Sequence, residues 1–144
     1  MNSRSSSWTA AIAILGLTLA FNAPGARAGD LPQIHRQGQI AYLSGGADLE
    51  EFKAIKQVAD RYPLELELRQ KAQPSDAYLS GVDIQIKDAS ARTILKVKAD
   101  GPFLLARLPA GKYTVSADHD GQVESLDVTI PAKQHRHVMF VWQA

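Results

Sequence analysis

Leu104–Gly121 reads LLARLPAGKYTVSADHDG, and the phase of its side chains decides the fold. Leu108-Pro109-Ala110-Gly111 has the chemistry of a tight corner, because proline pre-sets one backbone angle and Gly111 is free to take a positive one. Beyond it Tyr113, Val115 and Ala117 fall on one face of an extended chain and Thr114 and Ser116 on the other. The stretch therefore predicts two strands joined at a corner. Tyr113 points inward, so its hydroxyl needs a backbone partner close to that corner.

Working outward, short segments of the same kind recur at Gln39–Leu43, Leu64–Arg69, Val82–Ile86, Thr93–Ala99, Phe103–Leu108, Val123–Ile130 and Val138–Trp142. Turn residues separate most of them: Asp88-Ala89-Ser90, Asp100-Gly101-Pro102, Asp120-Gly121 and Pro131-Ala132-Lys133. Strands at this spacing predict a mainly β, antiparallel Greek-key β-sandwich of seven or eight strands, prealbumin-like or Ig-like. Leu64-Glu65-Leu66-Glu67-Leu68-Arg69 alternates strictly, with leucines on one face and charges on the other. Glu65, Glu67 and also Asp83 are expected on wet faces.

One segment has a different period. Leu49, Phe52, Ile55, Ala59 and Tyr62 lie on one stripe at helical spacing, which predicts an amphipathic α-helix near the N-terminus over 48–62, packed on the sandwich. Asp48 with Glu51 three residues on can satisfy orphan amides at its start, and Pro63 disfavours helical geometry at Tyr62.

A family resemblance rests on these residues. Gly81-Val82-Asp83-Ile84-Gln85-Ile86, Gly101-Pro102-Phe103, Leu108-Pro109-Ala110-Gly111-Lys112-Tyr113-Thr114-Val115 and the closing strand Val138–Trp142 resemble carboxypeptidase regulatory-like domains, which are transthyretin-like or prealbumin-like sandwiches. The resemblance implies a non-catalytic module of the kind that accompanies enzymes, sits in envelope proteins or shares its shape with carbohydrate-binding modules. The helix departs from the plain module, and the chain as a whole looks like small exported bacterial proteins that carry this domain.

The N-terminus supplies a compartment. MNSRSSSW is basic, Trp8–Phe21 is apolar and Ala26-Arg27-Ala28 is an A-x-A cleavage pattern, which together predict a signal peptide over 1–28 with cleavage after Ala28. The apolar run is too short to cross a bilayer, which takes about 20 residues, so no integral membrane segment is expected in the mature chain. Residues 29–38 read as a lead-in and 39–144 as a single domain. The chain carries 16 basic and 15 acidic residues, and loss of Arg4 and Arg27 leaves 14 against 15. Near-neutrality argues against nucleic acid or anionic lipid as partner. No cysteine is present, which excludes thiol catalysis, Cys-zinc sites and disulfide exchange. The expected location is the periplasm.

Candidate sites are few. His135, His137 and Met139 alternate along a strand, so two imidazoles and a thioether share one side, a soft donor set suited to copper. His119 joins them only if the strands pair favourably. Tyr78, in AYLSG, has no clear strand phase and is the aromatic residue expected to meet a ligand. Ser44-Gly45-Gly46 before the helix is not read as an anion cradle, because Asp48, Glu50 and Glu51 already supply negative charge there. No GxSxG, HExxH or SxxK frame sets a nucleophile beside a base. The sequence thus predicts no catalytic residues, no cofactor, and a binding or structural role toward an envelope protein or a glycan, with copper binding as the alternative.

Overall fold

The alternating stretch LELELRQ forms strand β3, Leu64–Gln70, and the rest of the larger sheet is arranged around it. The computed structural model describes residues 31–144, so the expected signal peptide and cleavage site lie outside the described residues. In chain order the elements are β1 (His35–Gln37), β2 (Ile40–Gly45), α1 (Leu49–Val58), β3, β4 (Ala77–Tyr78), β5 (Asp83–Lys87), β6 (Thr93–Lys98), β7 (Phe103–Ala106), β8 (Gly111–His119), β9 (Gln122–Ile130) and β10 (Arg136–Trp142). One sheet runs β1-β2-β7-β3-β10 with β4 paired to the far end of β3, and the other runs β6-β5-β8-β9. No helix among the described residues is long and apolar enough to cross a membrane.

The core lies between the sheets. Leu64, Leu66, Leu68, Leu104, Phe140 and Trp142 face Ile84, Ile86, Leu95, Val115 and Val128, all buried. The corner has the geometry its sequence requires: the Tyr113 hydroxyl donates to the Pro109 carbonyl at 2.7 Å. Burial first, and the charge of Asp88 second, push the Tyr113 phenol above its ordinary value of 10.0.

The pairing departs from an all-antiparallel expectation at one place. β10 runs parallel to β3, with Arg136 beside Leu64 and Trp142 beside Gln70. The cause is local: the chain crosses from β9 into the other sheet at the end where β3 begins, and the Arg136 amide bonds the Pro63 carbonyl at 2.8 Å. The strand count also exceeds the expected seven or eight. The lead-in contributes β1, which returns as a hairpin into β2 through Gly38 at φ +54°. Gln37 stabilises it by donating from Nε2 to the Lys96 carbonyl at 2.7 Å and accepting from the Lys96 amide at 3.0 Å. That side chain ties edge strand β1 to edge strand β6 of the other sheet. At the opposite edge Trp142 Nε1 donates to the Gln122 carbonyl at 2.9 Å.

The outer face of the larger sheet is covered too. Ile55, Ala59 and Tyr62 pack on Leu43, Phe103 and Leu105, with Phe52 and Val58 at the margin. The helix ends earlier than its periodicity suggests, continuing as a 3-10 turn over Ala59–Arg61, and Tyr62 is extended at ψ 137° ahead of Pro63. At its start Asp48 Oδ1 accepts from the Glu51 amide at 2.8 Å, while Glu51 Oε1 accepts from the Gly46 amide at 2.6 Å. Gly46 sits at φ +95°, where a Cβ would also come within 2.7 Å of the Phe103 ring. Leu49 is a correction: it is 64% exposed, because the first turn of α1 overhangs a cleft instead of resting on the sheet.

These contacts set two stability expectations. Ile55→Ala, at a fully buried position, costs about 3 kcal/mol in urea denaturation, whereas Leu49→Ala costs under about 0.5 kcal/mol; equal effects would reverse the orientation of the helix. Tyr113→Phe costs about 1 kcal/mol at neutral pH. Because the folded-state phenol ionises later than the unfolded one, its contribution is present below pH 10.0 and lost as the pH rises through the raised value. The variant lacks that alkaline step.

Candidate functional site

Two carboxylates lie inside the helix-side face of the larger sheet. Glu65 is 3% exposed and Glu67 is 1% exposed, which corrects the expectation of a wet face. The alternation that places Leu64, Leu66 and Leu68 in the inter-sheet core turns Glu65 and Glu67 toward α1, and neighbouring strands wall them in. Buried charge persists only when paired, and each carboxylate is paired on both oxygens.

Glu67 Oε1 accepts from Arg69 Nε at 2.6 Å and also pairs with Arg69 Nη2. Its Oε2 lies 2.7 Å from His137 Nε2. Glu65 Oε1 faces Lys56 Nζ of α1 at 3.5 Å and His137 Nε2 at 3.9 Å. Its Oε2 lies 3.0 Å from His135 Nε2, while His135 Nδ1 lies 2.7 Å from the Tyr62 carbonyl. Desolvation works against the Arg69 charge, but the hydrogen bond and charge of Glu67, followed by Tyr78 and Asp76, hold the guanidinium above its ordinary value. No buried side-chain nitrogen or oxygen among the described residues lacks a hydrogen-bond partner.

The parallel register brings this about. His137 stands beside Glu65 and Met139 beside Glu67, so acids two apart on β3 meet imidazoles two apart, His137 on β10 and His135 just before it. His135, His137 and Met139 do share a face, as their alternation predicts. Glu65, Glu67 and His137 each place a ligand-capable atom within 4.8 Å of the others. Met139 continues the face outward and is exposed. His119 does not join; it packs edge-on against Trp142 with centroids 5.7 Å apart, and the Trp142 side chain lies on the other face of β10.

Arg69 links the buried carboxylates to an open cleft. Its Nη2 donates to the Tyr78 hydroxyl at 3.1 Å and its guanidinium lies 4.8 Å from the Tyr78 ring centroid. Tyr78 is 45% exposed and meets Phe52 edge-on at 5.3 Å, with Phe52 meeting Phe103 at 5.2 Å. The cleft beside them, about 480 Å³, is lined by Leu49, Phe52, Tyr78, Leu79 and Pro102, with Asp48, Ser80 and the Gly46-Ala47 backbone at its rim. Next to the lining residues Gly46 and Pro102, Gly101 approaches the Gly45 backbone so closely that a Cβ would overlap it. Sequence reasoning finds Tyr78 but not Leu49 or Phe52 as lining, since both read as core stripe. Ser44 is committed to structure: its hydroxyl donates to the Phe103 carbonyl at 3.0 Å and accepts from the Asp100 amide at 2.9 Å.

Comparison with known protein families and with curated proteins finds no match to this chain.

The carboxylates yield a stability contrast. Glu67→Ala strands a partly buried guanidinium and an imidazole and costs about 3 kcal/mol in chemical denaturation. Glu50→Ala removes only a solvent-exposed pair with Lys53 at 3.7 Å and stays within about 0.5 kcal/mol of the parent. Similar costs for both would show Glu67 to be as wet as Glu50.

Proposed function

We propose that the chain is a non-catalytic, exported domain of the cell envelope that binds a protein partner through the Tyr78 cleft. The observation that carries this reading is the exposure of Leu49 and Tyr78 on either side of an apolar cleft of about 480 Å³. Large apolar side chains left open around a concave surface mark an interaction site. The N-terminal signal pattern supports export, and the Tyr113 corner together with the two-sheet architecture supports the prealbumin-like, Greek-key reading of the sandwich.

The lining favours an apolar side chain of a protein over a sugar. Glycans need a free aromatic face together with several polar side chains. Here Arg69 already occupies one face of Tyr78, at 4.8 Å from the ring, and the Asp48 carboxylate is committed to the Glu51 amide. The non-catalytic reading is supported by the commitment of the Ser44 hydroxyl to backbone groups and by the pairing of His135 and His137 with carboxylates instead of with a nucleophile.

A displayed peptide library and a glycan array, each probed with the purified protein, test the proposal. The expected result is selection of peptides carrying an aromatic or branched apolar residue, with affinity falling at least about tenfold, or 1.4 kcal/mol, in Tyr78→Ala. Glycan hits without peptide hits would transfer the cleft to sugars. Peptide binding unchanged in Tyr78→Ala and Leu49→Ala would remove the cleft from the function altogether.

A further inference from the structure

We infer that Glu65, Glu67 and His137 form a site for one divalent transition-metal ion of the zinc class, with His135 as the residue that positions Glu65. This site is separate from the Tyr78 cleft and does not depend on the reading proposed for it.

The Tyr62 carbonyl only accepts, so His135 Nδ1, at 2.7 Å from it, carries a hydrogen. Nε2 faces Glu65 Oε2 at 3.0 Å, a contact that is attractive only with a hydrogen between the two atoms, and that hydrogen bond is what holds Glu65 in place. His137 Nε2 stands between both carboxylates, 2.7 Å from Glu67 and 3.9 Å from Glu65. The short contact of His137 Nε2 with the carboxylates is made either by its own hydrogen or by a metal ion shared by the group.

Two features of the surroundings favour the ion. Zinc binds imidazole nitrogen and carboxylate oxygen at about 2.0–2.2 Å, so two donors on one ion stand about 3–3.5 Å apart. The donor separations here, 2.7 and 3.9 Å with all three ligand atoms within 4.8 Å, bracket that spacing. The outer contacts also match those of metal ligands, in which coordinating carboxylates are themselves hydrogen-bonded. Arg69 holds the Glu67 oxygen turned away from His137, and Tyr62 anchors His135. Two buried acids and one imidazole, with the His137 side chain 39% exposed, leave a position open to water. Oxygen and imidazole donors suit zinc(II) and its neighbours better than copper(I), which prefers thioether and thiolate sulfur.

The test is calorimetric titration of chelator-treated protein with zinc(II) and, separately, copper(I), supported by the visible spectrum with cobalt(II). One zinc(II) per chain is expected, weakened at least about tenfold in His137→Ala and Glu67→Gln and also in His135→Ala, where a positioning partner is lost. Met139→Leu and the remote His119→Ala should bind as the parent does, and circular dichroism reports whether each variant is folded. His137→Ala, at a partly exposed side chain, serves where Glu67→Gln fails to fold. Absence of zinc binding would overturn the site in favour of plain hydrogen bonds and ion pairs, in which ring-nitrogen NMR shows a hydrogen on His137 Nε2. Copper(I) binding that needs Met139 but not Glu67 would overturn it in favour of the imidazole–thioether set.

Discussion

A carboxylate removed from water must meet compensating charge, and β3 places two of them beneath α1. Most of what is distinctive on that side of the molecule follows from this requirement. The parallel docking of β10 brings His135 and His137 to the acids. Arg69 folds back along its own strand to Glu67, and Lys56 reaches down from the helix to Glu65. An apolar β3 would hold the two sheets together equally well, since its leucines alone face the inter-sheet core. The glutamates instead specify which strand docks beside β3 and in which register. A slip of one residue would point the imidazoles into the inter-sheet core and leave Glu65 with Lys56 alone and Glu67 with Arg69 alone.

The sandwich was largely legible in the sequence because its determinants are local. The corner at Pro109, the alternation of Tyr113, Val115 and Ala117, the helical stripe through Ile55 and the cap at Asp48 each depend on neighbours a few positions apart. Where the sequence misled, the deciding contact was distant. Alternation in LELELR is the same whether the charged face meets water or a helix, so nothing within β3 reveals that Glu65 and Glu67 are buried. The lead-in hid β1 for a similar reason, because a three-residue strand has no period to detect and is held by Gln37 bonding to Lys96, 59 positions away.

The site divides along the same line. Tyr78 stood out for lacking a strand phase, and its exposure follows from the brevity of β4, two residues long. His135 and His137 were legible as neighbours on one face, but their partners were not. The one available signal was the matched spacing of acids at 65 and 67 with imidazoles at 135 and 137, which becomes meaningful only if the two strands are assumed to run in the same direction. Leu49 was assigned to the core because it has the right phase, yet α1 extends past the edge of the sheet it covers. Phase gives a direction and says nothing about whether a neighbour waits there.

The parallel pairing of β3 with β10 also bears on how the chain reaches its folded state. The imidazole–carboxylate contacts join residues 70 positions apart, and they form only when β10 has paired with β3. Loop-closure entropy for such a span is spent before the contacts repay it, and topologies dominated by distant pairings fold slowly. Until β10 docks, Glu65 and Glu67 lack their imidazole partners, so the docking of that strand and the full pairing of the buried acids are a single event.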